Sequence, residues 1–213
     1  MEKEYIIYDG LEQGTQEWLQ LRSDKMTASN ATAIGNCGAG LKTLVDKIVL
    51  QIVKPQIIED KWLGTDVDRG NRLEPIARTK YEFEKGIESV EVGFIQLNKY
   101  VGMSPDGITF SPDMKRIIGG QEIKARNDAN HLKLLETDKV ESNTLWQIQM
   151  SLKITGADWW DYISYNPNFK QSLYVQRILP IEKYQLGLEK GFKMGQELIE
   201  SKLKLDVIKA ELA

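Results

Sequence analysis

The sequence predicts a mixed α/β fold, a central sheet with helices packed against it. Three observations predict this. Apolar residues recur at helical spacing through the first third of the chain. Between about residues 87 and 180, runs of β-formers alternate with two shorter helical patterns. From Ile181 a long amphipathic pattern follows. With 213 residues and 41% hydrophobic content, the chain can bury one substantial core, while two full domains would be a squeeze. We therefore read one domain over 1–213, with a helical part at about 14–86, a core at about 87–180 and a C-terminal helix at about 181–213.

Taken in order, Thr15–Arg22 forms a short helix with Trp18, Leu19 and Leu21 as apolar contacts. Thr27 and Ser29 suit the cap of a turn running through Ala33. Leu41–Lys54 sets Leu44, Val45, Ile48 and Ile52 at helical spacing. Asp66–Lys85 is the next helix, closed by Gly86. Ser89–Leu97 is a strand. Val101–Met103 and Gly107–Phe110 flank Ser104-Pro105-Asp106 as two short strands or a hairpin. Arg116–Ala125 is a strand with a buried centre. Helices resume at Asn130–Glu136 and Asn143–Thr155. Trp159–Tyr165 and Leu173–Leu179 alternate like paired antiparallel strands. The last helix carries Tyr184, Leu188, Phe192 and Ile199 on or near one face.

Composition narrows the function. Lys+Arg 28 against Asp+Glu 31 gives a net charge of -3. A protein that merely coats DNA is usually basic, because affinity rests largely on phosphate neutralisation. Any basic surface here must be local, and part of the acid can be gathered at a metal site. One cysteine, Cys37, excludes an intramolecular disulfide and a multi-cysteine zinc site. Met1–Tyr8 lacks the layout of a signal peptide, and the apolar stretches are too short to span a bilayer. No membrane association and a cytosolic location are the expectation. Gly35–Thr43 fails as a phosphate-binding loop in both spacing and context and reads as a flexible loop between helices. His131, the single histidine, reads as a helix-surface residue. Cys37 lacks a partner for nucleophilic chemistry. Trp159-Trp160 suits core or subunit packing better than base stacking.

The chemistry is carried by Ser104-Pro105-Asp106-Gly107 and Gln121-Glu122-Ile123-Lys124. Alternate strand residues share a face, so Glu122 and Lys124 project to one side while Ile123 enters the core. A hairpin can return Asp106 to that side. Two converging carboxylates suit a hard cation such as Mg²⁺ or Mn²⁺. A neighbouring lysine suits hydrolysis, where an ammonium orients water and stabilises phosphate charge. On spacing alone a second reading stands, because Pro-Asp-Gly is common in turns and Glu-x-Lys occurs by chance in surface strands.

The combination Pro105-Asp106…Glu122-Ile123-Lys124 resembles the PD-(D/E)xK nuclease pattern. More narrowly, the chain is similar to the phage lambda exonuclease family, the YqaJ-like viral recombinases. Four further segments agree in order: Gly14–Arg22 with its Trp-x-x-x-Arg text, Met26-Thr27-Ala28-Ser29, Arg69–Pro75 with its Gly-x-x-x-Glu text, and Trp146–Met150 with its Gln-x-Gln text. The resemblance implies a restriction-endonuclease-like α/β core. It implies that Asp106, Glu122 and the Ile123 carbonyl bind Mg²⁺ (or Mn²⁺), with two ions expected, and that Lys124 assists the attacking water. Glu74 would be a further acid near the metals, with a solvated helix acid as the alternative. Gln147 would lie beside the reacting phosphate, with a plain helix former as the alternative. Arg22 and Ser29 would bind a terminal 5′-phosphate, with an ion pair and an N-cap as alternatives. Trp18 would shape that pocket or serve the core. The stretch between Asp106 and Glu122 is longer than in the family prototype, and a longer hairpin tip around Ser111–Arg116 absorbs it.

The activity so implied is digestion of one strand of linear duplex DNA, 5′ to 3′ from its ends. The 3′ single strand left behind would feed a single-strand annealing protein. A ring-shaped homotrimer threaded by DNA, a phage or prophage origin and a bacterial host cytoplasm are implied with it. Basic side chains such as Lys25, Lys42, Lys47 and Arg72 would then line the inner channel of an otherwise acidic chain. The alternatives are a site-specific or structure-specific endonuclease of the same fold, and a non-catalytic DNA-end-binding scaffold. A Cas4-like exonuclease usually carries a cysteine set for an iron–sulfur cluster, which a lone Cys37 does not supply.

Overall fold

Two four-stranded mixed sheets, rather than one, organise the chain. The computed structural model describes residues 5–55 and 65–212. The first sheet has the order β1 (Ile6–Tyr8), β3 (Phe94–Asn98), β4 (Val101–Met103), β2 (Met26–Thr27), with β2 and β4 parallel. The second has the order β5 (Gly107–Phe110), β6 (Ile117–Ala125), β7 (Trp160–Tyr165), β8 (Leu173–Ile178). The break falls at Ser104-Pro105-Asp106. Pro105 has no N–H to give a ladder, so the chain leaves one sheet after Met103 and enters the other at Gly107. β4 and β5 are therefore not a hairpin. The hairpin is β5–β6, and its tip closes through Ser111 N–H to the Arg116 carbonyl at 2.8 Å. β6 and β7 run parallel, and the crossover they need is supplied by α5 (Asp128–Thr137) and α6 (Ser142–Thr155).

The helices follow their local signals. Thr15 caps α1 (Gln16–Ser23) by accepting the Trp18 N–H. A 3-10 turn at Ala28–Asn30 leads into α2 (Ala31–Asn36). Cys37 ends α2 in the left-handed region, and α3 (Ala39–Val53) starts at once. Most of Gly35–Thr43 is thus helical, not a flexible loop, because Leu41 is fully buried and anchors the new helix. α4 (Thr65–Lys85) covers the face of β6, β7 and β8. The C-terminal pattern is two helices, α7 (Glu182–Leu203) and α8 (Asp206–Leu212), since the chain turns at Lys204–Leu205.

The larger core lies between the sheets and α2, α3, α6 and α7. α2 and α7 approach at backbone distance: a Cβ on Gly191 would sit 2.2 Å from the Ile34 carbonyl oxygen. A second core joins Leu73, Ala77 and Tyr81 of α4 to Ile123 and Ile163. Across β6, Gly119 and Gly120 make room for the indoles of Trp159 and Trp160. Trp160 is fully buried, and Trp159 is stacked under the Arg177 guanidinium at 3.8 Å. His131 is fully buried too, contrary to the sequence reading. Its ring nitrogens lie 2.9 Å from Ser164 Oγ and the Gln171 carbonyl oxygen, which offset the cost of burying them. Lys25 is likewise buried and paired to Asp24 at 2.6 Å, so it faces no channel. Among the described residues no helix is long and apolar enough to cross a membrane.

Candidate active site

Asp106 sits at the junction of the two sheets, on the turn that Pro105 forces. Pairing of Gly107 with Gln121 brings it beside the centre of β6. There Asp106 Oδ2 accepts the Ile123 backbone N–H at 2.6 Å. Ile123 is buried in the α4 core, so strand alternation sends Glu122 and Lys124 to the opposite face. Lys124 Nζ lies 2.5 Å from Glu122 Oε1, although that oxygen lacks a partner with hydrogen-bond geometry. Glu122 is 2% exposed, while Lys124 keeps a third of its side chain open. Glu74 reaches the same place from α4.

The electrostatics describe one cluster. Burial pushes the Glu74 carboxyl up to about 7, and Asp106 adds to the shift against Lys124 and Arg78. Burial also pushes Glu122 up to about 7; Lys124 opposes this, and Asp106 and Glu74 add to it. Asp106 is raised by burial, while Lys124, the Ile123 N–H and Arg78 hold it down. Burial alone would lower Lys124, but Glu122, Asp106 and Glu74 together keep its ammonium above the usual range. Three acids and one lysine that feel each other inside a low-dielectric wall bind positive charge strongly.

The donors fit a hard divalent cation in type. They are carboxylate oxygens, they repel one another, and one is buried without a hydrogen bond. Among the described residues no three His, Cys, Asp or Glu side chains form a closed metal cluster, so a third protein ligand would have to come from elsewhere, such as a main-chain carbonyl.

Two residues that hold the Asp106 turn escaped the sequence reading. Arg78 Nη2 donates to the Asp106 carbonyl at 2.7 Å and its other terminal nitrogen pairs with Glu91. The signal was available, since Arg78 lies four residues after Glu74 on the same helix face. Gln13 Nε2 donates to the Pro105 carbonyl at 2.9 Å and to Val92 at 3.1 Å. No local pattern marks a contact spanning 92 residues. Gln13, Glu74, Arg78, Glu91 and Asp106 also line a cleft of about 440 Å³.

The N-terminal candidates gather at the same end of the first sheet. β2 runs parallel to β4, so the 3-10 turn holding Ser29 lies by the strand that leads to Asp106. Trp18 is buried and donates from Nε1 to the Gly93 carbonyl at 3.0 Å and to Ser104 Oγ at 2.9 Å. It thus fastens α1 to the turn that carries Asp106 and offers its ring face to Arg22, whose guanidinium carbon is 3.8 Å from the ring centroid. Burial lowers Arg22 to about 10, and no described acid pairs with it. Ser29 is exposed, with Oγ 3.0 Å from Thr27 Oγ1. α6 packs on that turn and on β4. Gln147 on α6 is half-buried with its amide unengaged among the described residues. Gln149 differs: it is fully buried and bonded to Leu179, Ile181 and Gln185.

A mixed α/β core that sets a Pro-Asp turn against Glu-x-Lys on a strand is the PD-(D/E)xK class of fold. Within it, the chain belongs to the YqaJ-like viral recombinase family, whose domain model matches residues 17–158. No curated protein matches the chain. Among solved structures, an alkaline exonuclease from Laribacter hongkongensis, LHK-Exo, is similar at 26% identity and TM-score 0.79, over 93% of this chain and 100% of that one. Its complex with dAMP matches equally. A phage-related exonuclease from Haemophilus somnus 129PT shares the fold at 13% identity and TM-score 0.53, over 84% of this chain and 95% of that one.

Proposed function

We propose that the protein is a metal-dependent exonuclease that digests one strand of linear duplex DNA, 5′ to 3′. The observation that carries the reading is the meeting of Glu74, Asp106, Glu122 and Lys124 around the Ile123 amide, within a family that includes viral recombinases. Asp106, Glu122 and the Ile123 carbonyl would hold Mg²⁺ or Mn²⁺, with a second ion near Glu74. When bound, the metal lowers the pKa of water and neutralises phosphate oxygens. Lys124, kept charged by three acids, orients the water and offsets charge developing on the phosphate. Gln147 can donate its free amide to a phosphate oxygen. Arg22, stacked on Trp18 and without an acid partner among the described residues, would bind the terminal 5′-phosphate, and the exposed Ser29 hydroxyl would add a hydrogen bond to it. The strand left behind would pass to a single-strand annealing protein, and a homotrimer ring would keep the enzyme on its substrate.

Linear duplex, relaxed closed circular duplex and Mg²⁺ test this together. The expectation is release of mononucleotides from the linear duplex, no cleavage of the circle and complete loss with EDTA. Cleavage of the circle would make it an endonuclease. Tight binding of ends without cleavage in any divalent metal would make it a scaffold.

A further inference from the structure

We infer that a groove lined by Arg69, Arg72 and Arg126 is a second DNA contact, holding the phosphodiester backbone beside the scissile bond without reading sequence. This rests on the nuclease reading above. The groove has a volume of about 490 Å³ and is completed by Asn127, Asp128, Asn166 and Asn168. It starts where the active site ends. α4 carries both Glu74 and the pair Arg69/Arg72, and β6 runs through Lys124 directly to Arg126. A strand with one phosphate at the acid–lysine cluster therefore meets this groove next.

Its charge is opposite to that of the acidic cleft bordered by Glu74, Glu91 and Asp106. In a chain of net charge -3, three of the seven arginines face one groove. The two acids described there, Asp128 and Glu141, are already engaged. Asp128 accepts from Asn166 Nδ2 at 2.8 Å and Asn168 Nδ2 at 3.0 Å, which hold it below the usual carboxylate range. Glu141 is paired with Arg126 Nη2 at 2.9 Å. Arg72 is exposed and takes no acid among the described residues. Among the described residues three guanidinium groups thus face two carboxylates, and guanidinium forks match phosphate oxygens in geometry.

The walls are built before any ligand arrives. Arg69 Nε donates to the Ala125 carbonyl at 3.0 Å. Arg126 Nε reaches the Tyr162 hydroxyl at 3.3 Å, and Asn166 Nδ2 donates to the Arg126 carbonyl at 3.1 Å. Buried His131 clamps the far end of the Asn166 loop through Gln171. Such preorganisation lowers the entropic cost of binding. It also sets the specificity. The Asn166 and Asn168 amides are committed to Asp128 and the main chain, and the Asn127 side chain caps α5 by accepting the Asn130 N–H. The Asn166 and Asn168 amides are thus turned toward the protein, and the guanidinium groups favour phosphate oxygens, so the contact is to backbone.

The test measures binding of the full-length protein to a fluorescent linear duplex in EDTA, as a function of salt. In Arg72→Gln, and again in Arg126→Gln, the slope of log K against log salt becomes shallower by about 0.9 per arginine removed. Both changes are independent of DNA sequence, and Arg72→Lys restores the wild-type slope. Arg116→Gln, which loses only its pair with Asp158, leaves the slope unchanged. Because Arg126 also ties Glu141 and Tyr162, Arg72→Gln decides if Arg126→Gln does not fold. An unchanged slope in Arg72→Gln, or an equal change in Arg116→Gln, overturns the groove while Mg²⁺-dependent cleavage by wild type leaves the nuclease reading standing. A wild-type protein with no affinity for duplex overturns both.

Discussion

At the scale of single residues, the site works by forcing like charges together. Asp106, Glu122 and Glu74 repel one another, and Lys124, Arg78 and the Ile123 N–H relieve the cluster from within. Lys124→Ala and Asp106→Ala each are expected to lower Mg²⁺-dependent digestion by at least about 100-fold, the usual cost of losing one preorganised charge-stabilising group. Circular dichroism should show both folded; full activity in either would remove the residue from the site. The proposed role of Arg22 concerns a different phosphate. Arg22→Ala should slow digestion of 5′-phosphorylated ends by roughly 10–100-fold, the worth of charge-assisted hydrogen bonds, and leave 5′-hydroxyl ends nearly unaffected. Equal loss on both ends would return Arg22 to a structural role on Trp18.

At the scale of elements, the catalytic geometry depends on how α4 docks on the second sheet. The docking is apolar through Leu73, Ala77 and Tyr81, with a polar latch at its end. The Tyr81 hydroxyl donates to buried Asp161 at 2.7 Å, and Arg177 grips the same carboxylate with two bonds of 2.8 Å. Tyr81→Phe keeps the ring and removes the latch. It should cost roughly 1–3 kcal/mol, as for a hydrogen bond to a charged acceptor, measured by urea denaturation. Because α4 also carries Glu74 and Arg78, a rise in KM or fall in kcat should accompany the lost stability. The longer helices were readable from apolar spacing, whereas the short α2 and α8 were not, because six or seven residues make too few turns for a spacing to repeat. β1 and β2 were not readable either: strands of three and two residues carry no alternation, and β4, as short as β1, was marked only by the Ser104-Pro105-Asp106 turn that follows it.

At the scale of the whole molecule, the buried acids make stability depend on pH. Glu74 and Glu122 hold their protons to about pH 7 in the metal-free fold, whereas an unfolded chain releases them near the ordinary glutamate value of about 4.3. Between those limits the folded state binds more protons. The metal-free protein should therefore lose stability as pH rises from about 4.5 to about 7 and level off above. Glu122→Gln should flatten that dependence in denaturant titrations carried out in EDTA. A profile that instead rises across the window would show that the acids are not coupled as described.

By itself the sequence determined the α/β class, the order of nearly all elements and the residues of the acid–lysine set. These follow from periodicity, from strand alternation and from a turn that Pro105 imposes, all of which act over a few residues. The tertiary structure alone decided what those residues meet. It split the strands into two sheets, buried His131 and Lys25, and brought in Gln13 and Arg78 to hold the Asp106 turn. It also placed Arg69, Arg72 and Arg126 in one groove. Contacts spanning many tens of residues depend on how packed faces fit together, and no local pattern encodes that fit.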